Sequence, residues 1–288
     1  MSDFAGLRVL ALESRRAAEL AKLISNYGGE PIVAPAMREI PLDSNTEALS
    51  FAEALLAGKL DIVIFLTGVG TRAVLTVAET KYRREDFIAA LHRVKVIPRG
   101  PKPIAVLREL GVTPAVTIPE PNTWRELLQS LDEAANSSPE FRLRGARVAL
   151  QEYGVSNPEL VSGLTQRGAI VTRVPVYQWA LPEDVAPVQV AIKEVAAGKI
   201  DVVLFTTGIQ VTHLFQVAAE MKLEEAMCRG LARTIVASIG PTTSEELQRH
   251  GIRPDLEPSH SKMGFLVKET ADQAASLLSR KREGTASA

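Results

Sequence analysis

The chain has 288 residues, 46% of them hydrophobic and 23% charged, with a formal net charge of −1. That balance belongs to a globular chain large enough for two buried cores, and its interspersed charges give neither the cationic face of a nucleic-acid binder nor a polyanionic tail. No apolar run reaches the roughly 18 residues of a membrane span, and Met1-Ser-Asp-Phe-Ala-Gly6 has no signal-peptide layout, so a cytosolic (cytoplasmic) protein without membrane or nucleic-acid partners is expected.

In chain order, Arg8–Leu12 reads as a strand, 16–26 as a helix closed by Gly28-Gly29, and Glu30–Ala34 as a second strand. Thr46–Leu56 is helical, Asp61–Phe65 is a near-continuous apolar strand, and Gly68–Ala78 is a helix. Val94–Ile97, the helix Pro101–Leu110, a strand at Ala115–Thr117 and the helix Asn122–Ala134 follow, and the order repeats from Arg147 to about Leu278. Strands alternating with helices, with apolar strand runs, predict α/β architecture: doubly wound parallel sheets covered on both faces, joined by right-handed crossovers. Ligands in such sheets sit at the carboxyl ends of strands, which points to the loops after Leu12, Phe65, Ile97, Leu150, Phe205 and Ile239. Positions 281–288 read as a frayed, disordered tail.

The repetition is literal. Gly6–Glu13 reappears as Gly145–Glu152, and Ala57-Gly-Lys-Leu-Asp61 as Ala197-Gly-Lys-Ile-Asp201. Thr67-Gly68 then matches Thr207-Gly208, and Gly100-Pro101 matches Gly240-Pro241. A repeat this long is a domain's worth of structure, so an internal duplication with two similar doubly wound domains is expected around a ligand. One connection is long in both copies: Ala34 to Thr46 carries Pro35 and Pro41, and Pro175 to Asp184 carries Pro175 and Pro182. Loops of this class usually take about 2–6 residues, so these segments read either as extended crossings between domains or as a pair of long surface loops.

The loops are specific in type, each opening a helix with backbone amides. Thr67-Gly68-Val69-Gly70-Thr71-Arg72 and Thr207-Gly208-Ile209-Gln210 each follow a strand and open a helix, presenting N–H groups at the positive end of its dipole. Ile239-Gly240-Pro241-Thr242-Thr243-Ser244 opens another, with Glu245 or Glu246 placed for a capping box; ligand contact and a simple well-capped helix both fit. Arg99-Gly100-Pro101-Lys102 is its counterpart with cations, and Glu13-Ser14-Arg15-Arg16 sets guanidinium groups after the first strand. Cys228 is the single cysteine, which excludes an intramolecular disulfide or a Cys-cluster metal site, and His92, His213, His250 and His260 have no metal-binding spacing. No metal and no cofactor are expected.

From Gly6 to about Leu278 the chain resembles uroporphyrinogen-III synthase. The residues that carry the resemblance are Glu13-Ser14-Arg15, Val174-Pro175-Val176-Tyr177, Asp201–Gly208 and Ile239–Thr243. It implies two flavodoxin-like domains joined by two extended crossing segments, 1–37 with 179–288 as one and 38–178 as the other. It also implies cyclisation of hydroxymethylbilane to uroporphyrinogen III, with loss of water and inversion of ring D through a spiro intermediate. A linear tetrapyrrole polycarboxylate suits helix N-termini and a few arginines better than a catalytic triad. Uncatalysed closure gives the other isomer, so the enzyme mainly imposes a conformation.

On this resemblance Tyr177, matched by Met37 in the first copy, is the catalytic candidate that hydrogen-bonds or protonates the departing hydroxyl; anchoring of the crossing strand is its other reading. The substrate-binding candidates are Arg15, Thr67, Gly68, Arg72, Gly100, Lys102, Thr206, Thr207, Gly208, Gly240, Thr242 and Thr243. Arg99 is a further carboxylate partner, and the contact at Arg99–Lys102 departs from the family's commoner small or hydroxyl residues. A monomer is expected, with transient contact to hydroxymethylbilane synthase. A non-catalytic synthase-like small-molecule sensor or regulator and a two-domain glycosyltransferase are the competing classes; the second would need longer domains and a sugar-nucleotide site.

Overall fold

The computed structural model describes residues 3–42, 45–138, 141–152, 154 and 156–286. In chain order the elements are β1 (Arg8–Ala11), α1 (Ala17–Asn26), β2 (Glu30–Val33), β3 (Arg38–Pro41), α2 (Thr46–Leu56), β4 (Ile62–Phe65), α3 (Gly68–Glu79), α4 (Arg84–Leu91), β5 (Lys95–Pro98), α5 (Pro101–Glu109) and α6 (Trp124–Ser137). There follow β6 (Arg147–Gln151), α7 (Pro158–Gln166), β7 (Ile170–Val174), β8 (Tyr177–Ala180), α8 (Ala186–Ala196), β9 (Val202–Phe205), α9 (Gly208–Glu220), α10 (Glu224–Leu231), β10 (Ile235–Ser238), α11 (Pro241–Arg249) and α12 (Met263–Ala286). The chain divides into two compact units, Met1–Arg38 with Ala180–Ala288, and Glu39–Trp179.

Unit 1 holds a four-stranded sheet in the order β10-β9-β1-β2, and unit 2 a sheet in the order β5-β4-β6-β7. Every pairing in both is parallel. Each sheet therefore has two faces to bury, and strand alternation divides its side chains between them. In unit 1, Leu10, Leu12, Val203 and Phe205 pack with α8 and α9 residues such as Val195 and Leu214. The intervening Val9, Ala11, Val202 and Leu204 pack with Leu20, Ile24, Leu266 and Val267. Unit 2 repeats the division: Val63 and Phe65 pack with Phe51 and Phe87, Ile62 and Ile64 with Leu127 and Leu160.

The same polar lock closes the amino end of both sheets. Asp61 Oδ2 accepts from Arg147 N at 2.8 Å, and Asp201 Oδ2 accepts from Arg8 N at 2.9 Å. The turns before these aspartates need a left-handed residue after the helix, supplied by Gly58 (φ 66°) and Gly198 (φ 68°).

Expectations differ at three places: the Ala115–Thr117 strand, the helices α4 and α10, and the tail. Ala115–Thr117 is not a strand: the segment after α5 gives β5 one bond, Ala115 N to Val96 O at 2.8 Å, and then turns Ile118 into the core. α4 and α10, eight residues each, were not foreseen. The proline-bearing segments include the short strands β3 and β8, which pair as a two-stranded sheet. Of the expected tail at 281–288, helix α12 continues through Ala286 and positions 287–288 lie outside the described residues. Among the described residues, no helix is long and apolar enough to cross a membrane.

Candidate functional site

In unit 2 the polar residues gather where β4 gives way to α3. Thr67 is extended (φ −143°, ψ 151°) and caps the helix: its Oγ1 accepts from Gly70 N at 3.0 Å. The Tyr177 hydroxyl stands 3.4 Å from the same oxygen. Tyr177 is 7% exposed and meets Trp179 edge-to-face at 5.4 Å, so its ring is fixed by core packing while its oxygen reaches the loop. The loop backbone is held from the neighbouring strand: Gln151, 1% exposed, accepts through Oε1 from Leu66 N at 3.2 Å and Thr67 N at 3.4 Å, and donates through Nε2 to the Glu152 carbonyl.

Helix α5 starts beside α3. A Cβ on Gly68 would lie 2.8 Å from the Lys102 carbonyl oxygen, so this approach requires glycine. Thr67, Gly68, Gly100 (the N-cap of α5) and Lys102 thus come together at two adjoining helix N-termini. Their first-turn N–H groups lack intrahelical acceptors and favour anions. Lys102 is exposed there. Arg72 instead pairs with Glu109 at 2.8 Å, both exposed.

Unit 1 builds its loop differently. Thr206 Oγ1 donates to Glu13 Oε2 at 2.6 Å and accepts from Gln210 Nε2 at 2.8 Å, while Thr206 N donates to Gln210 Oε1 at 2.8 Å. Glu13 Oε1 accepts from the backbone of Arg15 at 3.1 Å and Arg16 at 3.3 Å. One carboxylate therefore joins the Arg15 loop to the Thr206 loop, with the Arg15 side chain exposed. Thr207 is the N-cap of α9 but its side chain does not cap the helix, and Gly208 begins that helix beside the Thr242 carbonyl.

Gly240 is the extended N-cap of α11, with Pro241 at the first helical position. The capping box expected from Glu245 or Glu246 does not form, since α11 has no side-chain cap. Glu246 accepts instead from Thr212 Oγ1 at 3.0 Å and from Arg249 at 2.9 Å, pulled along the helix by a cation one turn on. Thr242 is exposed, whereas Thr243 and Ser244 are each 3% exposed, and Ser244 Oγ has no hydrogen-bond partner among the described residues.

Behind the α9 loop, His213 is 5% exposed and its Nδ1 lies 2.7 Å from the Ala36 carbonyl, which assigns the proton to Nδ1. Burial, the largest influence, pulls its pKa below the ordinary histidine value despite that bond. Among the described residues, no group of three or more His, Cys, Asp or Glu is placed to hold a metal ion.

Each unit thus presents hydroxyls and helix N-termini at the carboxyl ends of its strands, and in unit 1 one of the hydroxyls is bonded to a carboxylate. The arrangement suits binding of carboxylates and hydroxyl protonation. Sequence reasoning missed Gln151 and Gln210. Their signal lay in the comparison of the two halves, where Gln151 stands opposite Leu12 and Gln210 opposite Gly70.

The model of the family described as uroporphyrinogen-III synthase HemD matches residues 18–268. A Bacillus subtilis (strain 168) protein called "Uncharacterized protein YjjA" is 32% identical over 270 residues, covering 92% of this chain and 95% of its own. A mutant uroporphyrinogen III synthase from the extremely thermophilic bacterium Thermus thermophilus shares the fold at TM-score 0.71 and 23% identity, covering 94% of this chain and 99% of that one. The wild-type structure of the same enzyme aligns at TM-score 0.57 and 25% identity, covering 94% and 98%. This chain belongs to the uroporphyrinogen-III synthase family.

Proposed function

We propose that the protein is a uroporphyrinogen-III synthase, a lyase of tetrapyrrole and heme biosynthesis that cyclises hydroxymethylbilane to uroporphyrinogen III. The observation that carries the reading is the Tyr177–Thr67 hydroxyl pair at 3.4 Å, set at the N-terminus of α3 in a chain of this family. A phenol is protonated at neutral pH, its reference pKa being about 10, and the distance leaves room to tighten on substrate.

The chemistry balances without an external reagent. The ring A hydroxyl departs as water, taking the Tyr177 proton and leaving an azafulvenium cation. Ring D attacks that cation through its already substituted carbon to give a spiro intermediate. The bond from that carbon to the ring C methylene then breaks, leaving a cation on ring C, and the free α-carbon of ring D bonds to that methylene, inverting the ring. Loss of the ring proton restores the aromatic pyrrole, and a proton returns to Tyr177. In unit 2 the candidates for binding acetate and propionate carboxylates are Thr67, Gly68, Gly100 and Lys102, and in unit 1 they are Arg15, Thr207, Gly208, Gly240, Thr242 and Thr243, through helix N-termini, hydroxyls and cations. Thr206, by contrast, has its hydroxyl and amide protons committed to Glu13 and Gln210. Arg72 joins them on release from Glu109. Their work is to impose the ring D geometry that solution closure does not reach.

The two units descend, on this reading, from one duplicated flavodoxin-like ancestor; their shared strand order and the repeated aspartate lock support it. The working form is a monomer in the cytoplasm that meets hydroxymethylbilane synthase transiently, and catalysis requires no cofactor. The test is to generate hydroxymethylbilane enzymatically, add this protein, oxidise the products and separate the porphyrin isomers. Isomer III should dominate; isomer I alone would refute the reading.

A further inference from the structure

Each unit holds its strand-end loop with a single buried carboxamide, but the carboxamide comes from opposite sides. The two sequence positions concerned are 12, which corresponds to 151, and 70, which corresponds to 210. Unit 1 combines Leu12 with Gln210; unit 2 combines Gln151 with Gly70. In unit 1 the glutamine rises from α9, and Leu12 is wholly buried in the apolar cluster with Val211 and Leu214. In unit 2 the glutamine comes from the end of β6, and a Cβ on Gly70 would overlap its carboxamide. In unit 2 the two positions therefore compete for the same space.

The bonding is matched as well. Gln210 Oε1 accepts from Thr206 N at 2.8 Å; Gln151 Oε1 accepts from Leu66 N at 3.2 Å and Thr67 N at 3.4 Å. What differs is the other end. Gln210 Nε2 donates to Thr206 Oγ1, which in turn donates to Glu13. Gln151 Nε2 donates to the Glu152 carbonyl, since Leu66 stands where unit 1 has Thr206 and offers no hydroxyl; Thr67 Oγ1 accepts from Gly70 N and lies 3.4 Å from the Tyr177 hydroxyl.

We propose that Gln151 and Gln210 are positioning residues, exchanged between the two repeat positions, and that the Gln151–Gly70 arrangement sets the Thr67 hydroxyl against Tyr177. What the loop positions rests on the synthase reading; the exchange itself does not. Moving the amide to the α3 side would again give the Leu66 N–H, the counterpart of Thr206 N, a buried acceptor, although Leu66 has no hydroxyl to receive the amide Nε2. The substitutions Gln151→Leu and Gly70→Gln should therefore each be harmful and together largely compensate.

The experiment is a double-variant cycle on the full chain, read by melting temperature and by rate and porphyrin isomer ratio from hydroxymethylbilane. Gln151→Leu strands two loop N–H groups and Gly70→Gln collides with the resident amide, so each single variant should melt lower. Each should also lose kcat by up to about a hundredfold, the scale of an ångström-sized misplacement, and release more isomer I. The double variant should regain most of the melting temperature and of the isomer III share. A double variant no more stable than the worse single overturns the exchange, and recovered stability with unrecovered isomer ratio overturns the positioning role. If the unaltered protein yields isomer I alone, the synthase reading fails and the positioning role with it, while the melting temperatures still decide the exchange.

Discussion

The Tyr177 hydroxyl lies 3.4 Å from Thr67 Oγ1, joining a strand-end residue of β8 to the cap of α3 within one unit. The ring belongs to the core cluster of unit 2, so loss of the hydroxyl alone should leave the fold intact. Tyr177→Phe is expected to lower kcat by about 10²–10⁴, the range for a positioned proton donor, while shifting stability by no more than about 1.5 kcal/mol, the scale of one hydrogen bond. Stopped-flow or quenched assays beside urea unfolding check both halves. Full activity in a folded Tyr177→Phe protein would exclude the donor role.

His213 predicts an acid sensitivity in unit 1. Burial lowers its pKa in the folded state below the ordinary 6.5, so between those two values the unfolded chain binds a proton that the folded chain does not. Stability is accordingly unaffected above about pH 6.5 and falls as pH drops towards the folded value, by at most about 1.4 kcal/mol per pH unit. Urea unfolding at a series of pH values should show a shallower slope for His213→Gln in this window. An unchanged slope would contradict the assignment.

Asp61 works in the same direction at lower pH. Its hydrogen bonds from the Arg147 side chain and backbone hold the carboxyl below its ordinary value against a partial desolvation cost. The resulting stability is complete above about pH 4 and is lost as pH falls through the folded value. Because the pair is nearly half exposed, Asp61→Asn should cost only about 0.5–1 kcal/mol at neutral pH, with the difference from the parent protein disappearing in acid. Thermal unfolding at pH 7 and at a series of falling pH values below about 4 measures this.

Two helical glycines should respond oppositely to alanine. A Cβ at Gly230 of α10 would run into the backbone carbonyl of Val195 in α8, whereas Gly264 of α12 has nothing within 4 Å. Gly230→Ala should therefore destabilise by about 1–3 kcal/mol through overpacking. Gly264→Ala should stabilise by about 0.5–1 kcal/mol through helix propensity. Chemical denaturation of both variants settles the contrast.

The strand cores were legible because β4 and β9 are unbroken apolar runs, and buried parallel strands need such runs on both faces. Long helices such as α2 were legible for the complementary reason, their apolar periodicity outlasting any strand. Helices α4 and α10 hid because eight residues give barely two turns of pattern, close behind a preceding helix. Ala115–Thr117 looked like a strand by composition, yet a ladder needs a partner and this segment makes one bond with β5. At the site, Thr67 and Tyr177 were readable from the family's motifs. Gln151 and Gln210 were not, because a buried amide shows its function only through the N–H groups it reaches.

The most direct measurement is the isomer composition formed from enzymatically generated hydroxymethylbilane in the presence of the intact protein. The account predicts uroporphyrinogen III in large excess over isomer I, at a rate above spontaneous closure and reduced in Tyr177→Phe. Isomer I alone, formed at the spontaneous rate, would contradict it.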